Sequence, residues 1–315
     1  METIDTLGRA MRSVIFRTLA IALGCVALAA PRVSLADDSA AAAGKALSNP
    51  LSDIWALFTE IDYTFSNGDL SDKNYHNGQA VIFQPIMPIP LTDNWKMLTR
   101  PTLPIIVGTD VPNGRRYDTI DLPDGDGVIL KPDGNAVFDS EDGFGDMSLP
   151  LLFSPKSASK WGWGAGPTFV FPTGSEPLTT DTWEVGPAVV VTYKTPGFTG
   201  AVLGQYWWNY AEQDNDTPDT SHGSFLYSAW WDLPNAWQVG MNPTITYNNE
   251  TRSDDRWNVP IGFGVAKTIK FGKMPIKFQF GVEKSIVRED DFGKDWNIRF
   301  NIIPVIPGLV QKPLF

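Results

Sequence analysis

The stretch Trp237-Gln238-Val239-Gly240-Met241-Asn242-Pro243-Thr244-Ile245-Thr246-Tyr247-Asn248 is the one whose reading decides the fold. Its odd positions carry Trp237, Val239, Met241, Pro243, Ile245 and Tyr247, and its even positions carry Gln238, Gly240, Asn242, Thr244, Thr246 and Asn248. One face is apolar and the other polar or small, with the period of two that belongs to a β-strand. A run of about ten residues is what a tilted strand needs to cross a bilayer, whereas strands of soluble domains more often have about five or six. Downstream, Ile276, Phe278, Phe280, Val282 and Ile286 alternate with Lys277, Gln279, Gly281, Glu283 and Ser285. Trp296, Ile298, Phe300 and Ile302 alternate in the same way with Asn297, Arg299 and Asn301.

Working outward from these stretches, about twelve strand segments are expected, in line with the even strand counts of closed membrane barrels. They fall at residues 60–66, 78–91, 94–109, 144–154, 161–173, 183–194, 198–211, 222–233, 237–248, 257–271, 274–288 and 295–306. In a soluble sandwich the apolar faces would meet a core. In a transmembrane barrel they meet lipid, and the polar faces line the lumen.

The connections choose between the two. Thr92-Asp93, Thr195-Pro196-Gly197, Pro234-Asn235-Ala236 and Gly272-Lys273 are short, and 156–160 is a little longer. The intervening connections, 67–77, 110–143, 174–182, 211–221, 249–256 and 289–294, are longer, polar and acidic. Tight turns at one end and larger loops at the other are the pattern of an outer-membrane barrel. Trp95, Trp161, Trp163, Trp183, Trp207, Trp208, Trp230, Trp231, Trp237, Trp257 and Trp296 nearly all fall near strand ends, as interfacial girdles do. The expected fold is therefore all-β, an up-and-down antiparallel transmembrane barrel of about twelve strands with a short N-terminal helix.

The first 36 residues read as an export signal. Arg9, Arg12 and Arg17 give a basic start, 18–30 is apolar, and Ser34-Leu35-Ala36 supplies small residues for cleavage after Ala36. The apolar run is shorter than the roughly 20 residues of a spanning helix. Cys25 raises a lipoprotein alternative, but Ala22-Leu23-Gly24 before it is a poor lipid-attachment pattern. Loss of 1–36 removes four cations and two anions, which takes the formal charge from −11 to −13 and leaves no cysteine. An acidic chain of this kind is not suited to nucleic acid.

The expected organisation is a signal peptide at 1–36, a periplasmic leader and helix at 37–59, the barrel at 60–307 and a tail at 308–315. Residues 37–46 are mostly small and expected to be disordered. In 49–58, Asn49 is placed to cap a helix, Pro50 to open it and Asp53 to sit in its first turn. Leu51, Ile54, Trp55 and Phe58 then share a face, either lying on the barrel mouth or forming a gate or plug.

Several blocks resemble a known family. They are Gly143-Phe144-Gly145-Asp146 followed by 149–156, then Trp161-Gly162-Trp163-Gly164-Ala165-Gly166-Pro167-Thr168 with Pro172-Thr173, and Trp183-Glu184-Val185-Gly186-Pro187. Val259-Pro260-Ile261-Gly262-Phe263-Gly264 and Asp295-Trp296-Asn297-Ile298-Arg299-Phe300 also fit. Over roughly 45–307 the chain resembles the outer-membrane proteins grouped as "MetA-pathway of phenol degradation", often labelled transporters and sometimes mislabelled neuromedin U. The resemblance implies a barrel in the outer membrane that passes small hydrophobic or aromatic solutes. It carries no catalytic residues.

Chemistry is sparse. His76 and His222 lie in or beside different outer loops, and adjacent Ser221 and His222 point to opposite faces of a strand, so neither a metal pair nor a serine–histidine pair is expected. The acidic loop at 110–143 only loosely suggests a calcium site through Asp121, Asp124 and Asp126. No cofactor, metal or enzymatic activity is expected.

The polar strand faces supply the candidate lumen lining. They offer the ionisable Asp62, Lys96, Arg100, Glu184, Lys277, Glu283 and Arg299, with the amides Gln84, Gln205, Asn209, Asn242, Gln279, Asn297 and Asn301. Twelve strands lie between the filled eight-stranded barrel and the open sixteen-stranded channel. Two functions follow: a passive channel for small solutes, or a non-transporting surface barrel acting through its acidic loops. The expected partners are outer-membrane lipid and lipopolysaccharide, the barrel-assembly machinery and a small-molecule solute. Phe315 is aromatic like the end of many last strands, but Pro304, Pro307, Gly308 and Pro313 break the strand before it.

Overall fold

A computed structural model describes residues 38–113, 119–121, 127–129, 136–157, 159–212, 219–253 and 255–315. The expected signal peptide lies outside the described residues. So do Asp124, Asp126 and the side chain of Asp121.

Twelve antiparallel strands close into a barrel. They are β1 (Ala56–Asn67), β2 (His76–Pro90), β3 (Trp95–Thr99 and Leu103–Asn113), β4 (Val137–Phe144 and Met147–Pro155), β5 (Trp161–Phe171) and β6 (Thr182–Thr195). The rest are β7 (Phe198–Glu212), β8 (Ser221–Leu233), β9 (Trp237–Met241 and Thr244–Asn248), β10 (Trp257–Phe271), β11 (Met274–Val287) and β12 (Gly293–Pro304). Each strand pairs with its neighbours in sequence, and β1 pairs with both β2 and β12, which closes the sheet. Pro101 and Pro243 fall at the interruptions of β3 and β9, where a residue without an N–H cannot continue a ladder.

Alternation holds around the wall. On β12, Asn297, Arg299 and Asn301 are buried, while Trp296 and Ile298 are exposed. On β10, Ala266 and Thr268 are buried while Ile261 and Phe263 are exposed. The interior is polar and the outside apolar, the reverse of a soluble protein and the arrangement that hydrocarbon outside selects. The exposed rings gather at both ends. Trp95, Trp161, Trp163, Trp231 and Trp237 stand near the short turns, and Trp183, Trp208, Trp257 and Trp296 near the long connections. Trp207 and Trp230, expected in the girdles, instead face inward and are 6% and 3% exposed. Each directly precedes an outward tryptophan, and successive strand residues point to opposite faces.

Two expectations about the N-terminal segment are corrected. Residues 37–46 are expected to be disordered, but Asp38–Leu47 is a helix, here α1. Its run of alanines has the highest helix propensity, with Asp38 in the first turn and Lys45 in the last matching the helix dipole. The helix expected at 49–58 does not form. The Ser52 amide donates to the Asn49 carbonyl at 3.0 Å and the Leu51 amide to Asn49 Oδ1 at 3.1 Å. Asn49-Pro50-Leu51-Ser52 is thus a β-turn, in which Asn at the first position and Pro at the second are as favoured as they are at a helix start. The barrel begins four residues earlier than expected, at Ala56, so Phe58 is a strand residue.

The long connection at 110–143 is also shorter than expected, because β3 runs on to Asn113 and β4 starts at Val137. A small ladder, Thr119–Asp121 with Gly127–Ile129, lies within it. At the opposite end the tail folds back, and the Phe315 amide donates to the Leu91 carbonyl at 3.0 Å.

Candidate functional site: the barrel interior

The polar residues read from the sequence fall into distinct groups along the bore. At the waist, Arg299 on β12 reaches three carboxylates from two flanking strands. Its Nε lies 3.1 Å from Glu60 Oε2 and 3.0 Å from Asp62 Oδ1, and its Nη1 lies 2.8 Å from Glu283 Oε1. Asp62 is directly opposite Arg299 in the β1–β12 register. Thr64 Oγ1 donates to Asn297 Oδ1 at 3.1 Å, and Asn301 Nδ2 donates to Gln279 Oε1 at 2.9 Å. Asn242 enters through its backbone, whose carbonyl accepts from Arg299 Nη1 at 3.2 Å. Removed from water, such ions are tolerable only when paired and hydrogen-bonded, and a planar guanidinium is suited to serving several carboxylates.

Toward the short turns, residues 38–55 occupy the bore. Lys277, fully buried, donates to Ser48 Oγ at 2.6 Å and to the Gly44 carbonyl at 3.3 Å, and lies 5.0 Å from the centre of the Trp230 ring. Lys96 donates to the Leu51 carbonyl at 2.6 Å and pairs with Asp53 at 2.7 Å. Lys45 pairs with Asp232 at 3.2 Å. Leu51 packs with the inward Leu98, Leu152, Ala188 and Val190, and Phe58 packs with Ala56 and Ile303. Trp55 is buried and donates from Nε1 to the Pro88 carbonyl at 3.0 Å. Of the gate residues expected on one helical face, Leu51 is on a turn, Ile54 and Trp55 lie in the stretch before β1, and Phe58 is on that strand. Leu51 and Trp55 still seat the segment in the barrel, and Ile54 is half-buried.

Toward the long connections, Glu184 is fully buried and accepts from Thr220 Oγ1 at 2.8 Å and Thr182 Oγ1 at 3.1 Å, with His222 Nε2 at 2.7 Å. Gln205 accepts from Thr168 Oγ1 at 3.2 Å. Asn209 donates to Asp219 at 3.0 Å. Nearer the short turns, Gln84, opposite Phe58 in the β1–β2 register, bonds Arg100, and the Arg100 guanidinium stacks 4.2 Å over the Phe58 ring. The outer loops are tied together by Arg252, which pairs with Asp255 at 2.7 Å and Asp291 at 2.5 Å. There, a hydrogen bond from Lys73 holds the Asp69 carboxyl below its ordinary range.

Two cavities flank the waist. One of about 630 Å³ opens among the outer connections, is lined by Trp207, His222, Asn258 and Lys294, and ends on Glu283 and Arg299. Another, of about 620 Å³, lies at the turn end beside Lys45, Leu51, Lys96 and Thr199.

Sequence reading missed Glu60, Trp207, Trp230 and His222 as interior residues. Glu60 was legible, because it is two residues before Asp62 and so shares its face.

A closed twelve-stranded wall, apolar outside and charged within, with β1 starting and β12 ending at the short turns, defines a β-barrel of the bacterial outer membrane. Residues 107–287, more than half of the chain, match the family described as "Putative MetA-pathway of phenol degradation", and the chain belongs to that family. No curated protein sequence matches it. Among solved structures it is similar to an outer membrane channel from Pseudomonas putida F1, at 12% identity and a TM-score of 0.55 over 87% of this chain and all of that one. Looser similarities are to the NanC porin (9% identity, TM-score 0.43, 78% of this chain, 99% of that one) and the CymD monoaromatic hydrocarbon channel (7%, 0.34, 89% and 94%).

Proposed function

We propose that the protein is a passive outer-membrane channel for small solutes of hydrophobic or aromatic character, closed at rest by residues 38–55. The observation that carries this reading is the division of the bore. An outer vestibule and an inner cavity are separated by the Arg299 cluster and by a segment that runs into β1 and is held through polar contacts and the packing of Leu51 and Trp55. Such polar contacts contribute about 0.5–3 kcal/mol each, and they and the Leu51 packing must be released together for the segment to withdraw. Membership of a family named for phenol degradation supports the solute class, and the likeness to an outer membrane channel supports the conduit.

The lumen lining in this reading is the buried set around Asp62, Lys96, Glu184, Lys277, Glu283 and Arg299, with the neighbouring amides. Lipid and lipopolysaccharide surround the girdles, the barrel-assembly machinery inserts the chain, and no step is enzymatic. One observation favours the alternative of a non-transporting surface barrel: Arg299 spends its donors on wall groups and closes the waist.

Reconstitution in planar bilayers and liposomes separates the two. The native chain should give small, fluctuating currents, and a variant lacking 38–53 should give larger, steadier ones and faster uptake of phenol. Neither current nor uptake in the shortened variant, with its barrel folded, would leave the surface-barrel reading.

A further inference from the structure

The cavity at the turn end is lined by four lysines, Lys45, Lys96, Lys156 and Lys194, and by one carboxylate among the described residues, that of Asp53. Two of the cations are matched. Lys96 pairs with Asp53 at 2.7 Å, and Lys45 pairs with Asp232, outside the cavity lining, at 3.2 Å. The other two meet no carboxylate among the described residues. Lys156 donates to the Thr92 carbonyl at 2.8 Å, and the half-buried Lys194 has no hydrogen-bond partner for its ammonium among the described residues.

Beside Lys194 the wall keeps two hydroxyls idle. Thr199 on β7 is directly opposite Lys194 on β6, and Thr192 lies two residues before it, so the three side chains share the inner face. Thr192 and Thr199 are 1% and 0% exposed, both line the cavity, and neither hydroxyl has a hydrogen-bond partner among the described residues. A buried polar group without a partner is costly and uncommon in a folded chain. Two such hydroxyls next to an unmatched ammonium form a donor set suited to a ligand that brings acceptors and negative charge.

The N-terminal segment gives the same cavity an apolar part, through Ala42, Ala46 and Leu51. The volume of about 620 Å³ lies within the range of about 300–1,000 Å³ usual for small-molecule sites. A hydrated inorganic anion gains nothing from the apolar lining. An acid with a compact apolar body uses both parts, its carboxylate on the donors and its body against Leu51 and the alanines. Asp53 and Lys156 are exposed, so the cavity is open at the turn end, the periplasmic side of the barrel.

We infer that this cavity is a binding site for a small organic acid with an apolar body, its carboxylate drawn by Lys156 and Lys194 and hydrogen-bonded by the Thr192 and Thr199 hydroxyls. As a statement about cargo it rests on the conduit reading and narrows the solute to acids. As a binding site it needs no open bore.

The test is benzoate binding to the folded full chain in a non-ionic detergent at neutral pH. Isothermal titration calorimetry against empty micelles reads the affinity, and heat-modifiable gel mobility checks folding. Benzyl alcohol probes the apolar body without the charge, and inorganic phosphate the charge without the body. Benzoate should bind at a single site, and the other two probes about tenfold more weakly or worse, the factor that one charge-assisted hydrogen bond supplies. Lys194→Met should weaken benzoate by about tenfold or more, and Thr199→Val by less, since it removes a neutral donor. Lys273→Met, on the exposed Gly272-Lys273 turn outside the cavity lining, should leave binding unchanged. Benzoate binding undiminished in Lys194→Met overturns the site. Benzyl alcohol or phosphate binding as tightly as benzoate overturns the ligand class. Equal weakening by Lys273→Met also overturns the site, since surface charge at large would then be responsible. A chain that binds benzoate but passes neither current nor phenol bears the site out and removes only the conduit. One that conducts but binds no benzoate does the reverse.

Discussion

Lys277 Nζ lies 2.6 Å from Ser48 Oγ, which ties β11 of the wall to the segment that precedes the first strand. Lys277 is fully buried, and a lysine so placed must keep its donors occupied. The tie is therefore mutual: the segment satisfies the lysine, and the lysine holds the segment. Lys277→Met keeps the length of the side chain and removes the donors. The expected outcome is a barrel of undiminished stability with a higher open probability, read as longer openings in single-channel records. Unchanged gating would show that Lys277 does not hold the segment.

Arg299→Met should be far more damaging. It leaves Glu60, Asp62 and Glu283 grouped at the waist with their shared cation gone. Breaking a buried ionic group by removing one partner costs about 3–5 kcal/mol. The urea midpoint for unfolding in liposomes should fall, and adding Asp62→Asn should recover part of the loss. A midpoint within error of the native one would mean that water already solvates these carboxylates.

The architecture was legible in the sequence because lipid outside and polar groups inside impose opposite demands on alternate residues. Trp237, Val239 and Met241 against Gln238, Gly240 and Asn242 carry that demand unambiguously. Paired tryptophans were harder. Trp207 and Trp208 both read as girdle residues from proximity to a strand end, yet only one of two successive residues can face lipid. The N-terminal segment misled for a different reason. Asn49-Pro50 opens a helix or a β-turn equally well, and which one forms depends on Leu51 finding Leu98 and Val190 across the barrel, a contact no local pattern records. The Arg299 cluster was half visible. Glu283 and Asp62 were read from alternation, while their meeting on one guanidinium follows from β1 closing against β12, residues far apart in the chain.

The parity of these tryptophans has a direct optical consequence. Variants that retain only Trp208 or only Trp207, the other positions being Phe, should behave oppositely with brominated lipids. Trp208, 48% exposed on the outer face, should be strongly quenched. Trp207, buried and donating from Nε1 to Thr168 Oγ1 at 3.1 Å, should not. Equal quenching would contradict the assignment of inside and outside on β7.

Gly44 tests how closely α1 is seated. A Cβ built there would lie 2.4 Å from Thr268 Oγ1, on a short branched side chain of the inner wall that is 3% exposed. By helix propensity alone, Gly44→Ala should stabilise α1 by about 0.5–1 kcal/mol. The collision acts the other way, because the threonine is fixed to a strand and cannot yield by rotating a long chain. If α1 sits in the bore, Gly44→Ala should make 38–53 more sensitive to added protease and raise the mean conductance, despite its better helix former. Thr268→Ala should relieve part of that effect in the double variant while doing little alone. Greater protection of the segment in Gly44→Ala would mean that propensity outweighs packing, and that the helix is free of the wall.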